Sequence, residues 1–450
     1  MLSRKRTMSI SLSDHFTYKK LLRFVFPSII MMVFTSIYGV VDGLFVSNCV
    51  GKHAFTAINL IMPFIMIFGG VGFMLGTGGS ALVAKTLGEQ QPEKANRYFA
   101  MIIQTTLVVG ILISVIGVIV ISPVAVFLGA DELILPDCII YGSITMIFCT
   151  SFMLQNAFQS FLITAGKPNL GLAATVAAGI TNMLLDALFV AFLKWGVAGA
   201  AIATGLSQCV GGILPLIYFL RPNGSLLSLK RTKPEISPIL KACANGSSEM
   251  VSNVTASIIG MLYNFQLLKY AGQDGVASYG VLMYIQFFYI AIFIGYSIGS
   301  APIIGYHYGA GNHPELKNLL RKSILLMGTT GFGMLLVAEL LARPLSLIFV
   351  GYDADLLTMT IHALRISSLA FFIVGFNIFA SSFFTALNNG GISAAISFLR
   401  TFIFKLSAVW FLPLLFQLDG IWWAEVTAEI FAFFLSLIFL ITKRKKYDYF

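Results

Sequence analysis

Residues 98–121 read YFAMIIQTTLVVGILISVIGVIVI, a stretch without a single charged residue. At a rise of about 1.5 Å per residue, a helix of this length crosses the roughly 30 Å hydrocarbon layer of a bilayer. The strands of a membrane barrel would instead alternate apolar and polar residues in runs of about ten. The stretch therefore predicts a transmembrane helix.

The rest of the 450-residue chain has the same character. Hydrophobic residues make up 58% of it and charged residues only 11%, and the mean hydropathy is +0.88. A soluble protein needs about a quarter of its residues charged to cover its surface. Most of this surface must face lipid, so we expect an all-α polytopic protein of the cell membrane.

Twelve stretches are apolar and long enough to span a bilayer, and breaks rich in Gly, Pro and Asn separate several of them. They are residues 21–46, 55–84, 98–121, 138–164, 170–193, 197–220, 239–268, 276–306, 319–341, 357–386, 392–416 and 420–442.

Basic residues are distributed unevenly between the two sides. If the N-terminus is inside, twenty-two Lys and Arg lie in inner segments and four in outer loops, so both termini are expected to be cytoplasmic. The net charge of +10 arises in these short loops, and we expect no nucleic-acid partner. The basic and polar start, up to Lys20, lacks the apolar core of a cleaved signal peptide.

The two halves of the chain contain a weak internal repeat. Ser80–Gly88, at the end of the second span, is echoed by Ser300–Gly309 at the end of the eighth, and Gly196 by Gly420. The echoes lie about 220 residues apart, which predicts two six-helix lobes related by a parallel pseudo-twofold axis. The expected segments are a cytoplasmic N-terminal segment 1–20, an N-terminal lobe 21–220, a linker 221–238, a C-terminal lobe 239–442 and a tail 443–450.

Two carboxylates fall inside spans of the first half. An ionisable group in the hydrocarbon layer costs at least about 2.5–3.5 kcal/mol, so it suggests a function. Asp42 lies toward the outer end of the first span, and Asp186 lies in the fifth on the same helix face as Asn182. These groups could hold a proton or Na⁺, with a helix-capping role as the alternative for each Asp. Pro27 is either a hinge in the first span or a proline tolerated near the helix start.

The charged residues of the second half favour a structural role. Arg400 and Lys405, in the eleventh span, can pair with Glu425 or Glu429 in the twelfth, which lowers the cost of burying all four. His307, at the inner end of the eighth span, is expected to be solvated.

No nucleotide-binding loop, zinc pattern or nucleophile motif is present. We therefore expect no enzymatic activity, no cofactor and no direct use of ATP. The five cysteines are scattered without paired spacing and are expected to serve as small packing residues.

The sequence resembles the multidrug and toxic compound extrusion (MATE) family, in its bacterial branch of DinF-like and MepA-like pumps, from about Lys20 to Lys443. The residues behind the resemblance are Val41-Asp42-x-x-Phe45-Val46, Ala165-Gly166-Lys167-Pro168, Asn182-x-x-Leu185-Asp186, Gly196-Val197-x-Gly199-Ala200-Ala201-x-Ala203-Thr204, Ala277-Ser278-Tyr279-Gly280 and Tyr308-Gly309-Ala310-Gly311-Asn312.

The resemblance implies a bacterial secondary transporter that exports bulky, lipophilic or cationic compounds in exchange for H⁺ or Na⁺. It implies a cation site, with Na⁺ as one candidate, whose positions match Asp42, Asn182, Asp186 and Thr204, and a helix 4 position that falls on Gln159. Pro27 matches a helix 1 proline that bends in some members. One chain contains both lobes, so a monomer should suffice.

Another branch of the family uses a Glu on helix 7. The matching positions are Asn245 and Asn253, so that site is expected to be absent, and Glu249 is an unassigned cavity candidate. The alternative function is a flippase for lipid-linked oligosaccharide or polyisoprenoid precursors, which shares the two-lobe plan. Flippases often use several cavity bases to hold diphosphates, whereas the bases within spans are few here and lie beside acids.

Overall fold

The computed structural model describes residues 10–450 apart from the Lys52 side chain. The basic residues Arg4, Lys5 and Arg6 and the first half of the predicted segment 1–20 lie outside the described residues. The helices found are α1 (Tyr18–Phe45), α2 (Lys52–Gly88), α3 (Pro92–Phe127), α4 (Leu135–Ile147), α5 (Cys149–Thr164), α6 (Pro168–Asp186), α7 (Gly196–Leu220), α8 (Ile236–Gly309), α9 (His313–Val350), α10 (Ala354–Ser368), α11 (Phe371–Ala386), α12 (Gly390–Phe398) and α13 (Lys405–Tyr447). Three π-helical turns, Val46–Val50, Ala187–Phe192 and Leu399–Phe404, continue α1, α6 and α12.

Twelve membrane crossings fit these helices. Eight helical stretches are long and apolar enough to cross a bilayer, and two bent pairs, α4 with α5 and α10 with α11, bring the number to ten. Two of the eight stretches contain 74 and 58 residues, whereas about 20 suffice for one crossing. Each is broken once by a residue with positive φ, Gly272 at 62° and Gln417 at 52°. The all-α fold with twelve spans is thereby confirmed.

The two halves share the features that a pseudo-twofold axis requires. The fourth span of each half is bent, by 54° between α4 and α5 and by 47° between α10 and α11. Gly88 of α2 packs on Tyr306 of α8, and Gly309 of α8 packs on Lys85 of α2. The two contacts are equivalent under the repeat, because Gly309 lies about 220 positions after Gly88 and Tyr306 lies about 220 positions after Lys85. A Cβ at either glycine would collide with the facing backbone.

The two halves also contact each other at the end of the bundle where the segment before α1 and the end of α13 lie. Gln90 Nε2 donates a hydrogen bond to Tyr306 Oη at 3.1 Å. Asn388 Nδ2 donates to the carbonyl oxygen of Ala81, also at 3.1 Å. This end, which we call the terminal end, is therefore closed by contacts between the halves.

The segment that precedes α1 adds to this closure. His15 Nδ1 lies 2.6 Å from Glu315 Oε2, and the Phe16 N–H donates to Glu315 Oε1 at 2.9 Å. Lys322 Nζ donates to the Phe16 carbonyl at 2.5 Å. The buried Phe16 ring packs edge-on against His307, which is 1% exposed. The expectation that His307 is solvated is wrong, because a segment distant in sequence covers it.

The outer faces of α3 and α9 consist of large apolar side chains. Ile119 and Phe127 of α3 are 71% and 87% exposed, and Leu340 of α9 is 78% exposed. Such exposure would be costly in water and is favourable in contact with lipid tails. These faces are the ones that contact the bilayer.

Candidate functional site

Asp42 and Asp186 have similar local surroundings, since each lies just before a π-helical turn. Asp42 lies in the last turn of α1, four residues before Val46–Val50, and Asp186 is the final residue of α6. In such a turn a backbone N–H reaches the carbonyl five residues earlier, as the Gly51 N–H does at 3.2 Å. π-helical turns are rare and occur frequently at functional sites.

The fold brings the carboxyl groups of Asp42 and Asp186 within hydrogen-bonding reach of each other. Asp186 is fully buried and Asp42 is partly exposed. Neither oxygen of Asp186 has a hydrogen-bond partner among the described residues, and neither does Oδ1 of Asp42. Two ionised carboxylates cannot donate hydrogen bonds to each other, so the pair can be satisfied by a shared proton or by a bound cation.

Neutral polar groups complete the surroundings of the pair. Asn182 is 1% exposed, its Nδ2 lies 3.5 Å from Thr204 Oγ1, and its Oδ1 has no partner among the described residues. Tyr141, which is 1% exposed, lies close to both carboxylates and to Thr204. Its hydroxyl likewise has no hydrogen-bond partner within the described chain. The structure therefore groups four of the predicted residues, and Tyr141 joins them.

The role of Gln159 stays a prediction, and a second glutamine of α5 contacts the surroundings of the pair. Gln159 is buried on α5, but none of the hydrogen bonds of the described residues joins its side chain to the carboxylates. Gln155, one turn earlier, lies within hydrogen-bonding reach of Tyr38, and Tyr38 is close to Asp42. Tyr38 precedes Asp42 by four residues, and this spacing is a signal from which it could have been found. Gln155 and Tyr141 carried no comparable signal.

Pro27 lies within an unbroken α1 and is buried. A proline inside a helix removes one backbone hydrogen bond, which lowers the cost of bending there. The neighbouring Ser28 packs on Gly295 of α8. The start of α1 therefore contacts the second half of the chain, while its end contributes Asp42 to a site in the first half.

The oxygen atoms around Asp42 and Asp186 suit a small hard cation. Carboxylate, amide and hydroxyl oxygens are ligands for such ions, and soft thiolate or imidazole ligands are not involved. No group of three or more His, Cys, Asp or Glu side chains that could hold a transition metal occurs in the described part of the chain. The arrangement can therefore accept a proton, or Na⁺ with help from Asn182 and Thr204.

Two glutamates of the second half, Glu425 and Glu429, have basic partners. Arg400 Nε lies 2.9 and 3.0 Å from the two oxygens of Glu429, and a second guanidinium nitrogen lies 2.9 Å from Oε1. Lys405 Nζ lies 2.7 Å from Glu425 and 4.0 Å from Glu429. Glu429 is fully buried and also accepts a hydrogen bond of 2.8 Å from Asn377. All four predicted members of the ion-pair network lie together.

Glu249 stands apart from that network. Its side chain is partly exposed. The Arg400 guanidinium is close enough to act on it electrostatically. Asn245 donates to the Thr385 carbonyl at 2.9 Å, and Asn253 donates to the backbone carbonyl of Glu249 at 2.8 Å. The two asparagines are therefore engaged in contacts with the backbone.

Comparison with known proteins assigns the chain to a family. A family model described as MatE matches it twice, over residues 27–188 and 250–411. Multidrug export protein MepA of Staphylococcus haemolyticus (strain JCSC1435) is 24% identical over 430 residues, covering 95% of this chain and 94% of that protein. Multidrug export protein MepA of Staphylococcus saprophyticus is 22% identical over 413 residues, with coverages of 92% and 91%.

Among solved structures, the "outward-facing conformation of a multidrug resistance MATE family transporter of the MOP superfamily" has the same fold. The TM-score is 0.92 at 22% sequence identity, over 98% of this chain and 99% of that one. The double match of the family model follows the two halves of the fold. The chain therefore belongs to the MatE family of multi-pass membrane transporters.

Proposed function

We propose that the protein is a secondary active multidrug exporter that exchanges bulky, lipophilic or cationic compounds for H⁺ or Na⁺. The observation that supports this most strongly is the pair formed by Asp42 and Asp186, one partly exposed and one buried carboxyl group, which lie close together without a basic partner in the described chain. The names of the Staphylococcus relatives agree with the class of substrate.

The physical basis of coupling is the cost of two adjacent negative charges. At short separation in a medium of low dielectric constant, two ionised carboxylates repel each other strongly and lose their hydration. Uptake of one cation removes the repulsion and satisfies the open oxygens of Asp42, Asp186 and Asn182. The site therefore changes its charge when the ion binds, and this change can act on the helices that contribute to it.

The proposed cycle uses α1 as the link between the lobes 21–220 and 239–442. The closed terminal end is taken as the cytoplasmic end because of the excess of Lys and Arg there. Cation binding at Asp42 favours bending of α1 near Pro27 and release of the exported compound outward. Cation loss to the cytoplasm resets the pump. Coupling requires only that the cation and the compound prefer different states.

The bases within the spans favour this proposal over a flippase. A diphosphate substrate would need free cations in the cavity, whereas Arg400 and Lys405 are paired with Glu429 and Glu425 at 2.7–2.9 Å. Arg365 lies 3.9 Å from Glu339. No cofactor enters the proposed cycle, and one chain supplies both lobes.

The test uses purified protein in liposomes loaded with ethidium, with a Na⁺ gradient and a pH gradient imposed separately. We expect one gradient to drive dye movement in the wild type and in an Asp419→Asn control, whose carboxylate is exposed and pairs with His362. Asp42→Asn should lose the gradient-driven movement. Dye export at the wild-type rate by folded Asp42→Asn protein would refute the proposal, and no movement by any protein would redirect the search to lipid-linked substrates.

A further inference from the structure

A cavity of about 220 Å³ lies at the terminal end, between the start of α9 and the last residues of the chain. It is far from Asp42 and Asp186 in the chain, and the proposed transport cycle does not use it. Its lining consists of Lys317, Leu320, Arg321, Ile324, Tyr449 and Phe450. None of these six side chains is acidic.

One wall of the cavity is a single face of α9. Residues 317, 320, 321 and 324 follow the spacing that places side chains on one side of a helix. Lys317 and Arg321 are exposed, and neither forms an ion pair with another described residue. The adjacent Lys322 differs, because its Nζ is engaged by the Phe16 carbonyl at 2.5 Å. Two cations one helical turn apart therefore have no ion-pair partner and lie beside the apolar residues of the same helix face.

The other wall is formed where the chain turns back after α13. Asp448 has a left-handed conformation with φ 49°, which reverses the chain direction. Tyr449 is then buried: its hydroxyl donates to the Leu440 carbonyl at 2.9 Å, and its ring packs edge-on against Phe383. This anchoring holds Phe450, which is 53% exposed, beside the cavity. The apolar wall is thus fixed by contacts inside the protein.

The chemistry of the lining combines an anion-binding edge with an apolar channel. Two unpaired cations repel the cationic compounds that the transporter is proposed to export, and they attract a phosphate group. Contact between the apolar lining residues and a hydrocarbon chain would remove apolar surface from water, which is favourable. Lys443, Arg444, Lys445 and Lys446 lie just before the turn, and clusters of basic residues beside a membrane helix attract anionic lipids.

We propose that this cavity binds an anionic phospholipid, with its phosphate at Lys317 and Arg321 and one acyl chain along Leu320, Ile324 and Phe450. The lipid would contact both α9 and the chain terminus. Since α9 also holds the segment before α1 through Glu315, the lipid would occupy a position next to the contacts that close the terminal end.

The experiment counts lipids bound to the purified full chain by native mass spectrometry. Phosphatidylglycerol and phosphatidylcholine with the same acyl chains are titrated into protein in a neutral detergent. We expect preferential binding of phosphatidylglycerol, and a loss of about tenfold in affinity for the first lipid in Lys317→Gln/Arg321→Gln. The matched control, Arg231→Gln/Lys233→Gln, removes two cations that do not line the cavity and should bind like the wild type.

Three outcomes would overturn the proposal. Unchanged binding by Lys317→Gln/Arg321→Gln would mean that the cavity is not the site. An equal loss in the control would indicate a diffuse attraction of the basic surface. Displacement of phosphatidylglycerol by inorganic phosphate at equal concentration would identify a site for the free anion. Because both side chains are exposed, the variant should elute as one monodisperse species, and Lys317→Gln alone replaces it otherwise.

Discussion

Each half of this transporter contains a pair of acidic residues within its spans, and the two pairs differ in whether basic side chains contact them. In the first half, Asp42 and Asp186 lie close together with oxygens that have no partner in the described chain. In the second half, Glu425 and Glu429 contact Lys405 and Arg400 at 2.7 and 2.9 Å. The first pair has no basic partner within the described chain, whereas the second pair is neutralised by basic side chains of the protein.

The internal repeat makes this difference specific. The two matches of the family model begin at residues 27 and 250, so the eleventh span, which contains Lys405, corresponds to the fifth span, which contains Asn182. The eleventh span thus contains a basic side chain, whereas the fifth span contains a neutral amide whose Oδ1 has no hydrogen-bond partner among the described residues. Under the proposed function, the acidic pair of the second half stays neutralised by its basic partners, whereas the acidic pair of the first half alternates between cation-bound and cation-free states.

The largest effect is expected from breaking the neutralised pair. Glu429→Gln leaves the Arg400 guanidinium buried, 12% exposed, without its counter-charge. Removing one partner of a buried ion pair costs about 3–5 kcal/mol, so the thermal unfolding temperature in detergent should fall markedly. Glu425→Gln is the matched comparison and should cost less, because Lys405 keeps Glu429 at 4.0 Å. Equal stability of wild type and Glu429→Gln would show that the network contributes nothing.

Neutralising the pair formed by Asp42 and Asp186 should affect transport but not lower stability. In Asp42→Asn/Asp186→Asn, removing two adjacent negative charges should leave stability unchanged or raise it, since no basic partner is orphaned. Coupled transport should fall by on the order of a hundredfold, because the free energy that couples ion and substrate is lost. Thermal unfolding and gradient-driven dye flux, measured on one preparation, check both parts. A variant that is as unstable as Glu429→Gln would contradict the comparison.

A substitution that places a basic side chain beside the first acidic pair should test the comparison between the two halves. Asn182→Lys places a fixed cation beside Asp186, four residues away on the same helix face. We expect the protein to unfold at the same temperature with or without added Na⁺ or protons, whereas the wild type responds to the coupling ion. Asn182→Gln is the control of similar size. An ion response that persists in folded Asn182→Lys would argue against a role for this position.

The smallest effect is expected at Tyr141. Its hydroxyl lies near both carboxylates but has no hydrogen-bond partner in the described residues. Tyr141→Phe should keep the packing and weaken the affinity for the coupling ion by about fivefold, because we expect the hydroxyl to form one hydrogen bond of about 1 kcal/mol within the ion-loaded site. The ion concentration that gives half-maximal dye transport measures this. An unchanged value would restrict Tyr141 to packing.

The fold was predictable because its determinant is local. Each apolar span is long enough to be recognised by itself, and its ends coincide with glycine, proline or asparagine, as at Gly166 and Asn388. The predicted third span, 98–121, lies within the longer α3, Pro92–Phe127. Its start extends beyond the apolar run because the polar first turn, which begins at Pro92, still forms helix outside the hydrocarbon layer.

The site was predictable only in part. Asp42 and Asp186 are conspicuous because charge is rare in apolar spans, and Asn182 follows from helical spacing. Tyr141 and Gln155 are ordinary residue types for a span and reach the site only through packing of α4 and α5 against α2 and α7. His307 was misjudged for the same reason, since Phe16, which covers it, is distant in sequence.

The most direct test of the account is whether substrate binding expels a cation from the first half. Purified protein in weakly buffered detergent solution is titrated with tetraphenylphosphonium while a pH indicator and a Na⁺-sensitive dye report released ions. The account predicts that wild type and Glu425→Gln release about one cation per protein molecule, and that Asp42→Asn/Asp186→Asn releases none. Release by the double variant equal to that of the wild type, or its loss in Glu425→Gln alone, would contradict the account.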